Sequence, residues 1–207
     1  MIQEIESYLD ELYPEPVCEL NYNKDYELLI AVVLSAQTTD KRVNKVTPVL
    51  FSKYPTLNDL KNASISDIED IIKEIGTYRK KATFIKDISR VLDEEFEGIV
   101  PNNRNMLESL PGVGRKTCNV VLSVLYNVPT IAVDTHVSRV SKRLNLARKN
   151  DDVEIIEKKL MKKFKKEVWS KRHHQMVLFG RYHCKAQKPE CKNCKLINIC
   201  KEKNKEI

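Results

Sequence analysis

Apolar residues return at every third and fourth position along almost the whole chain, and this limits the fold more than any other feature of the sequence. The pattern runs through Ile2 to Leu12, Leu28 to Leu34, Val43 to Leu50, Ile65 to Ile75, Ala82 to Phe96 and Met106 to Leu110. Short turns carrying Pro, Gly or Asn divide these stretches. No alternating pattern of useful strand length appears. Val120 to Val124 and Ile131 to Val133 are rich in β-branched residues, but the first falls inside a helical stretch and the second is too short. The expected fold class is therefore all-α. Ser66 with Glu69 three residues later reads as a capping box, and Asp40 reads as a helix start ahead of Val43. A further helix is expected over Val153 to Lys166.

At 207 residues and 42% apolar content the chain can bury one large core or two small ones, and periodicity gives no boundary between them. With 31% charged residues and no apolar run of bilayer length, no membrane association is expected. The first residues, MIQEIESYLDELYP, are acidic and amphipathic, unlike a secretory leader, so a cytoplasmic protein is expected. The net charge of +7 is unevenly placed: residues 149–207 hold 17 Lys and Arg against 8 Asp and Glu, and the preceding part is slightly acidic. Positive charge gathered in one part of a chain is the footprint of a polyanion partner. The segment KKLMKKFKK taken alone is a solvated helix face.

Three groups of residues carry chemistry. Leu110, Pro111, Gly112, Val113 and Gly114 form a turn between two apolar helical segments, and its glycines let backbone N–H groups approach a bulky anion such as a phosphate. Lys116 falls in the first turn of the helix that follows, where the positive end of the helix dipole disfavours an ammonium and favours a nucleophilic amine. By composition alone it is an ordinary solvent-facing or phosphate-contacting lysine. Asp134 precedes a helical face of Val137, Val140 and Leu144 and reads as an N-cap. Capping and catalysis are compatible, because a carboxylate held at a helix N-terminus is favoured in its ionised form and can stabilise a sugar oxocarbenium ion. Cys184, Cys191, Cys194 and Cys200 lie within 17 residues, which suggests a metal site. Their spacing alone leaves zinc and an iron-sulfur cluster open.

The order LPGVGRKT, VDTHVSRVSKRL and C-x6-C-x2-C-x5-C resembles the endonuclease III family of helix-hairpin-helix DNA glycosylases, over a span from Glu27 to Cys200. The resemblance implies a six-helix domain over 18–129 and a cluster-containing helical domain from 1–17 and 130–207, with duplex DNA in the cleft between. It implies base-excision repair by a bifunctional enzyme, a DNA N-glycosylase and abasic-site lyase that removes oxidised pyrimidines and then cleaves the strand by β-elimination through a Schiff base. Lys116 is the implied nucleophile and Asp134 the supporting carboxylate. The four cysteines are the implied ligands of a [4Fe-4S] cluster, whose loop would hold Lys185 and Lys188 against the DNA backbone, with Arg181 a further phosphate contact. A monomer, nucleoid-associated through its DNA, is expected.

Within the same resemblance, Gln37 of SAQTTD is the residue expected to enter the space left by a flipped base. Thr77 of IGTYRKKA stands where the family commonly has a leucine wedge, so Tyr78 or a neighbouring residue is a candidate substitute. His136 reads as a packed histidine beside the cap, and Trp169, Phe179 and Tyr182 as packing. His173, His174 and His183 read as surface or packing residues, and Cys18 and Cys118 as buried small side chains. Two rivals remain. An adenine or mismatch glycosylase of the same superfamily fits poorly with Lys116 and with only seven residues after Cys200. A non-catalytic DNA-binding module with zinc on its cysteines would tolerate loss of Lys116.

Overall fold

The computed structural model describes residues 1–203 and 205; Asn204, Glu206 and Ile207, in the charged tail that follows Cys200, lie outside the described residues. Among the described residues the regular elements are all helical, as the periodicity predicts. The chain divides into two compact units, Glu19–Tyr126 and a second formed by Met1–Cys18 with Asn127–Ile207.

The unit Glu19–Tyr126 contains α2 (Asp25–Leu34), α3 (Asp40–Lys53), α4 (Leu57–Asn62), α5 (Ile65–Ile72), α6 (Tyr78–Glu95), α7 (Arg104–Ser109) and α8 (Arg115–Tyr126). Its axis is α2, in which every residue from Tyr26 to Leu34 is buried. A helix that is apolar on all sides is stable only when wrapped, and α3, α6 and α8 pack around it. Each Leu, Ile or Val so buried contributes about 1.5–3 kcal/mol. Glu27 is tolerated there because its Oε2 accepts from the backbone N–H groups of Asn23 (2.7 Å) and Lys24 (3.3 Å), which closes the start of the helix.

Two expected helix starts shift. Thr39, not Asp40, caps α3, with its Oγ1 accepting from the Arg42 N–H at 3.4 Å, and Asp40 becomes the first helical residue. Helix α5 begins after Ser64, so Ser66 lies inside its first turn and forms no capping box with Glu69. The hydroxyls of Ser64 and Ser66 bond each other at 2.7 Å instead. A true capping box starts α4, where Asp59 N–H donates to Thr56 Oγ1 (3.1 Å) and Thr56 N–H to Asp59 Oδ2 (3.0 Å). At six residues α4 is too short for periodicity to reveal.

The other unit contains α1 (Ile2–Leu12), α9 (Thr135–Arg143), α10 (Val153–Lys163) and α11 (Trp169–Leu178), the last continuing into a π turn at Phe179–His183. Its core gathers Ile5 and Leu9 with Val137, Val140, Ile156, Leu160, Met176 and Phe179. Helix α1 is fastened to α11 by a buried polar network. Arg172, only 5% exposed, donates to both Asp10 oxygens (2.8 and 3.0 Å), and fully buried Gln175 donates to the carbonyls of Leu9 (3.2 Å) and Tyr13 (2.8 Å). Trp169 and Phe179 are packing residues, and His183 stacks on Phe179 with ring centroids 5.0 Å apart. Tyr182 is 52% exposed, contrary to expectation, because Phe179 and His183 take the inward side of the π turn. No helix among the described residues is long and apolar enough to cross a membrane.

Candidate functional site

The turn Leu110–Gly114 joins α7 to α8 and is built in two layers. Leu110 (2% exposed) and Val113 (6%) anchor it to the core, and their N–H groups donate to the Leu107 and Leu110 carbonyls, each at 3.1 Å. Gly112 adopts φ +75°, and a Cβ there would come within 2.5 Å of Cδ2 of Phe84, so the turn requires glycine for both backbone and space. Gly114 is the opposite case: a Cβ would meet nothing within 4 Å. Its backbone is open to an approaching group. Pro111, which precedes Gly112, is half-buried. Arg104 ties α7 to α8 through the buried Asn119 side chain and pairs with Glu108 at 2.8 Å. Cys118 is fully buried, as expected, whereas Cys18 is only partly buried. Lys116 is exposed at the second position of α8, beside this open turn.

Asp134 belongs to the other unit and is the N-cap of α9, its Oδ1 accepting from the Val137 N–H at 2.7 Å. Helix α9 then reaches the cysteine segment through two arginines one turn apart. Arg139 donates to the carbonyls of Gly180 (2.6 Å) and Cys184 (3.1 Å), and Arg143 to the Lys185 carbonyl (2.7 Å) and the Cys184 Sγ (3.4 Å). Sequence reading missed both, although their i, i+4 spacing within VDTHVSRVSKRL placed them on one side of the helix. His136 packs where the π turn comes closest, since a Cβ on Gly180 would lie 2.8 Å from the His136 Cβ. Its Nδ1 is 3.3 Å from Arg139.

Cys184, Cys191, Cys194 and Cys200 form no disulfide, and each is partly exposed. Among the described residues no three His, Cys, Asp or Glu side chains are close enough to hold a single metal ion. The four thiols nonetheless feel one another's charge: burial pushes the Cys194 thiol up, and Cys184, Cys200 and Cys191 push it further. Burial also raises the Cys184 thiol, with Arg143 pulling the other way. Four cysteine sulfurs within one 17-residue segment are a donor set that fits an iron-sulfur cluster and also zinc. In the loop between the first two cysteines, Lys185 pairs with Glu190 at 2.7 Å and Lys188 is exposed at φ +47°. Arg181 lies half-buried in the π turn.

Gln37 and Thr77 are brought together within the Glu19–Tyr126 unit. Both are exposed, and both hold left-handed backbone, at φ +55° and +56°. The segments are joined by Gly76 N–H donating to Thr38 Oγ1 at 3.3 Å. Tyr78 is half-buried and begins α6. Lys81, which sequence reading passed over, is only 4% exposed beneath them. Its signal was available: Lys81, Ile85, Ile88 and Leu92 share one helical face, so a lysine stood on a core register.

Against this geometry, residues 30–166 match the family model described as HhH-GPD superfamily base excision DNA repair protein. The chain is 49% identical to endonuclease III of Bacillus subtilis, covering 99% of this chain and 94% of that protein. It is 45% identical to endonuclease III of Escherichia coli K12, covering 98% and 95%. Among solved structures it superposes on a trapped endonuclease III–DNA covalent intermediate with a TM-score of 0.93 at 50% identity, covering 98% and 96%.

Proposed function

Since the chain belongs to the endonuclease III family of HhH-GPD base-excision DNA repair proteins, we propose that it excises oxidised pyrimidines from duplex DNA with Lys116 as nucleophile and Asp134 as the carboxylate that supports the sugar. It is a DNA N-glycosylase and abasic-site lyase. The observation that carries the residue assignment is the placement of Lys116: exposed, in the first turn of α8, beside the open backbone of Gly114.

The chemistry follows from these groups. A damaged nucleotide leaves the stack at the lowest cost when its pairing is already weakened. Lys116 Nζ attacks C1′ as the N-glycosidic bond breaks, and the bond electrons leave with the base. Asp134, with Oδ1 occupied by the Val137 N–H, turns its second oxygen to the positive charge on the sugar. The C1′–O4′ bond of the adduct then opens, with O4′ taking a proton, to give a Schiff base, which acidifies the 2′ proton; its removal expels the 3′ phosphate and nicks the strand. The turn Leu110–Gly114 binds a backbone phosphate through main-chain N–H groups, and Arg181, Lys185 and Lys188 supply further phosphate contacts. The exposed Lys185–Glu190 pair is screened by solvent and weak, so Lys185 can exchange its partner for a phosphate.

Cys184, Cys191, Cys194 and Cys200 hold a [4Fe-4S] cluster in this reading, and the group, when bound, cross-links the loop that carries Lys185 and Lys188. Arg139 and Arg143 tie that loop to the helix capped by Asp134. Borohydride trapping on duplex DNA with thymine glycol or an abasic site tests the proposal. An adduct formed by the wild type and lost in Lys116→Gln is expected, and a mutant that still nicks abasic DNA overturns the nucleophile. Metal analysis of the purified protein should find iron; zinc in its place favours the non-catalytic module.

A further inference from the structure

Lys81 does something that a core lysine on an amphipathic helix need not do. Its ammonium has three donors, and three acceptors surround it: the Leu34 carbonyl at 2.9 Å, the Ala36 carbonyl at 2.6 Å and the Thr38 hydroxyl at 3.4 Å. The two carbonyls sit at the C-terminal end of α2, where the last acceptors lack intrahelical partners and the helix dipole is negative. Ammonium and helix end therefore satisfy each other out of water. Burial pushes the Lys81 amine down from the ordinary lysine range.

The same hydroxyl extends the tie to a second segment. Thr38 Oγ1 accepts from the Gly76 N–H, and a Cβ on Gly76 would sit 3.4 Å from the Gln37 carbonyl and 3.6 Å from Thr38 Oγ1. The backbone of 76–77 thus lies directly against that of 36–38. Each segment exposes one non-glycine residue in left-handed conformation, Gln37 and Thr77. Such conformations persist only where the surroundings over-determine them.

We propose that Lys81 is a positioning residue for lesion recognition: its buried ammonium locks the Gln37 and Thr77 segments into one rigid unit that presents both side chains to the DNA gap. This rests on the reading of the chain as a glycosylase with Gln37 at the flipped-base site. With the ammonium removed, the Leu34 and Ala36 carbonyls lose their donor and turn to water, and the left-handed Gln37 relaxes. The wedge segment is released with it through Thr38. A residue that only stabilised the fold would lower the melting temperature and leave the DNA preference of the folded molecules intact.

The test measures Kd for a duplex with a stable tetrahydrofuran abasic analogue and for the undamaged duplex, using wild type, Lys81→Met, Gln37→Ala and the double mutant, each corrected for folded fraction. Lys81→Met is expected to weaken analogue binding by about tenfold, or ~1.4 kcal/mol, and undamaged binding by less than about twofold. Because Lys81 acts in part through Gln37 and in part through the Thr77 segment, the double mutant should lose less than the product of the two single losses. Thr38→Val, which leaves the buried ammonium in place, should reproduce part of the loss of preference and serves if Lys81→Met does not fold. Multiplicative effects in the double mutant, or equal losses on both duplexes, overturn the assignment to Lys81. A wild type without preference for the analogue overturns instead the repair reading beneath it.

Discussion

Substituting Gly112→Ala separates the turn's conformational demand from its functional one. The residue sits at φ +75°, so an added Cβ costs about 1–2 kcal/mol in backbone strain before any contact is counted. The same Cβ would lie 2.5, 2.8 and 2.9 Å from Cδ2, Cγ and Cε2 of Phe84, so a ring face, not a flexible tip, must move. Overpacking of this kind adds about 1–3 kcal/mol, for a total of roughly 2–5 kcal/mol. A double-mutant cycle with Phe84→Ala resolves the two parts, since removing the ring should leave only the strain, about 1–2 kcal/mol. Urea midpoints for the four proteins, taken with their m-values, give the energies. Gly114→Ala is the control: no atom lies within 4 Å of its Cβ, so its stability cost should not exceed about 1 kcal/mol, while a methyl group on the open backbone should weaken duplex binding. If Gly112→Ala costs the same with and without the Phe84 ring, or if Gly114→Ala binds DNA as the wild type does, the two-layer account of the turn is wrong.

Two further outcomes can be checked. Asp134→Asn preserves an oxygen to accept from the Val137 N–H, so the fold should be retained within about 1 kcal/mol while turnover falls by at least about tenfold; a fully active variant would reduce Asp134 to a helix cap. Asp10 is held well below the usual carboxylate range by hydrogen bonds from Arg172, Lys171 and Gln175. A lowered folded-state value means that its stabilisation is complete above the unfolded value near 3.8 and is lost as pH falls below it. Asp10→Asn should therefore lower stability at pH 7 and flatten its fall below about pH 4, and urea midpoints with an unchanged acid slope would remove Asp10 from the acid response.

What the sequence makes legible follows from where its information is local. Helix α2 announces itself because nearly every side chain from Tyr26 to Leu34 is apolar, and the turn before Lys116 announces itself because Gly112 needs a conformation that few residues adopt. Asp134 is readable as a cap for the same reason: the hydrogen bond it makes spans only three residues. The starts of α3 and α5 escape because Thr39, Asp40, Ser64 and Ser66 are all competent near a helix start, and only the closed backbone selects among them.

The interactions that organise the candidate site are of another kind. Arg143 reaches Lys185 across 42 positions, and Lys81 reaches Leu34 across 47. The acceptor in such a pair carries no local signature, because a backbone carbonyl looks the same beneath every side chain. What the sequence does carry is the misfit: a lysine on the register of Ile85, Ile88 and Leu92 costs desolvation that only specific acceptors can offset. A charged residue on a core stripe therefore predicts unsatisfied carbonyls nearby, and these arise where a helix ends. In this chain the helix that ends there is α2, and the residues immediately after it are Ser35 to Thr38, the segment that carries Gln37.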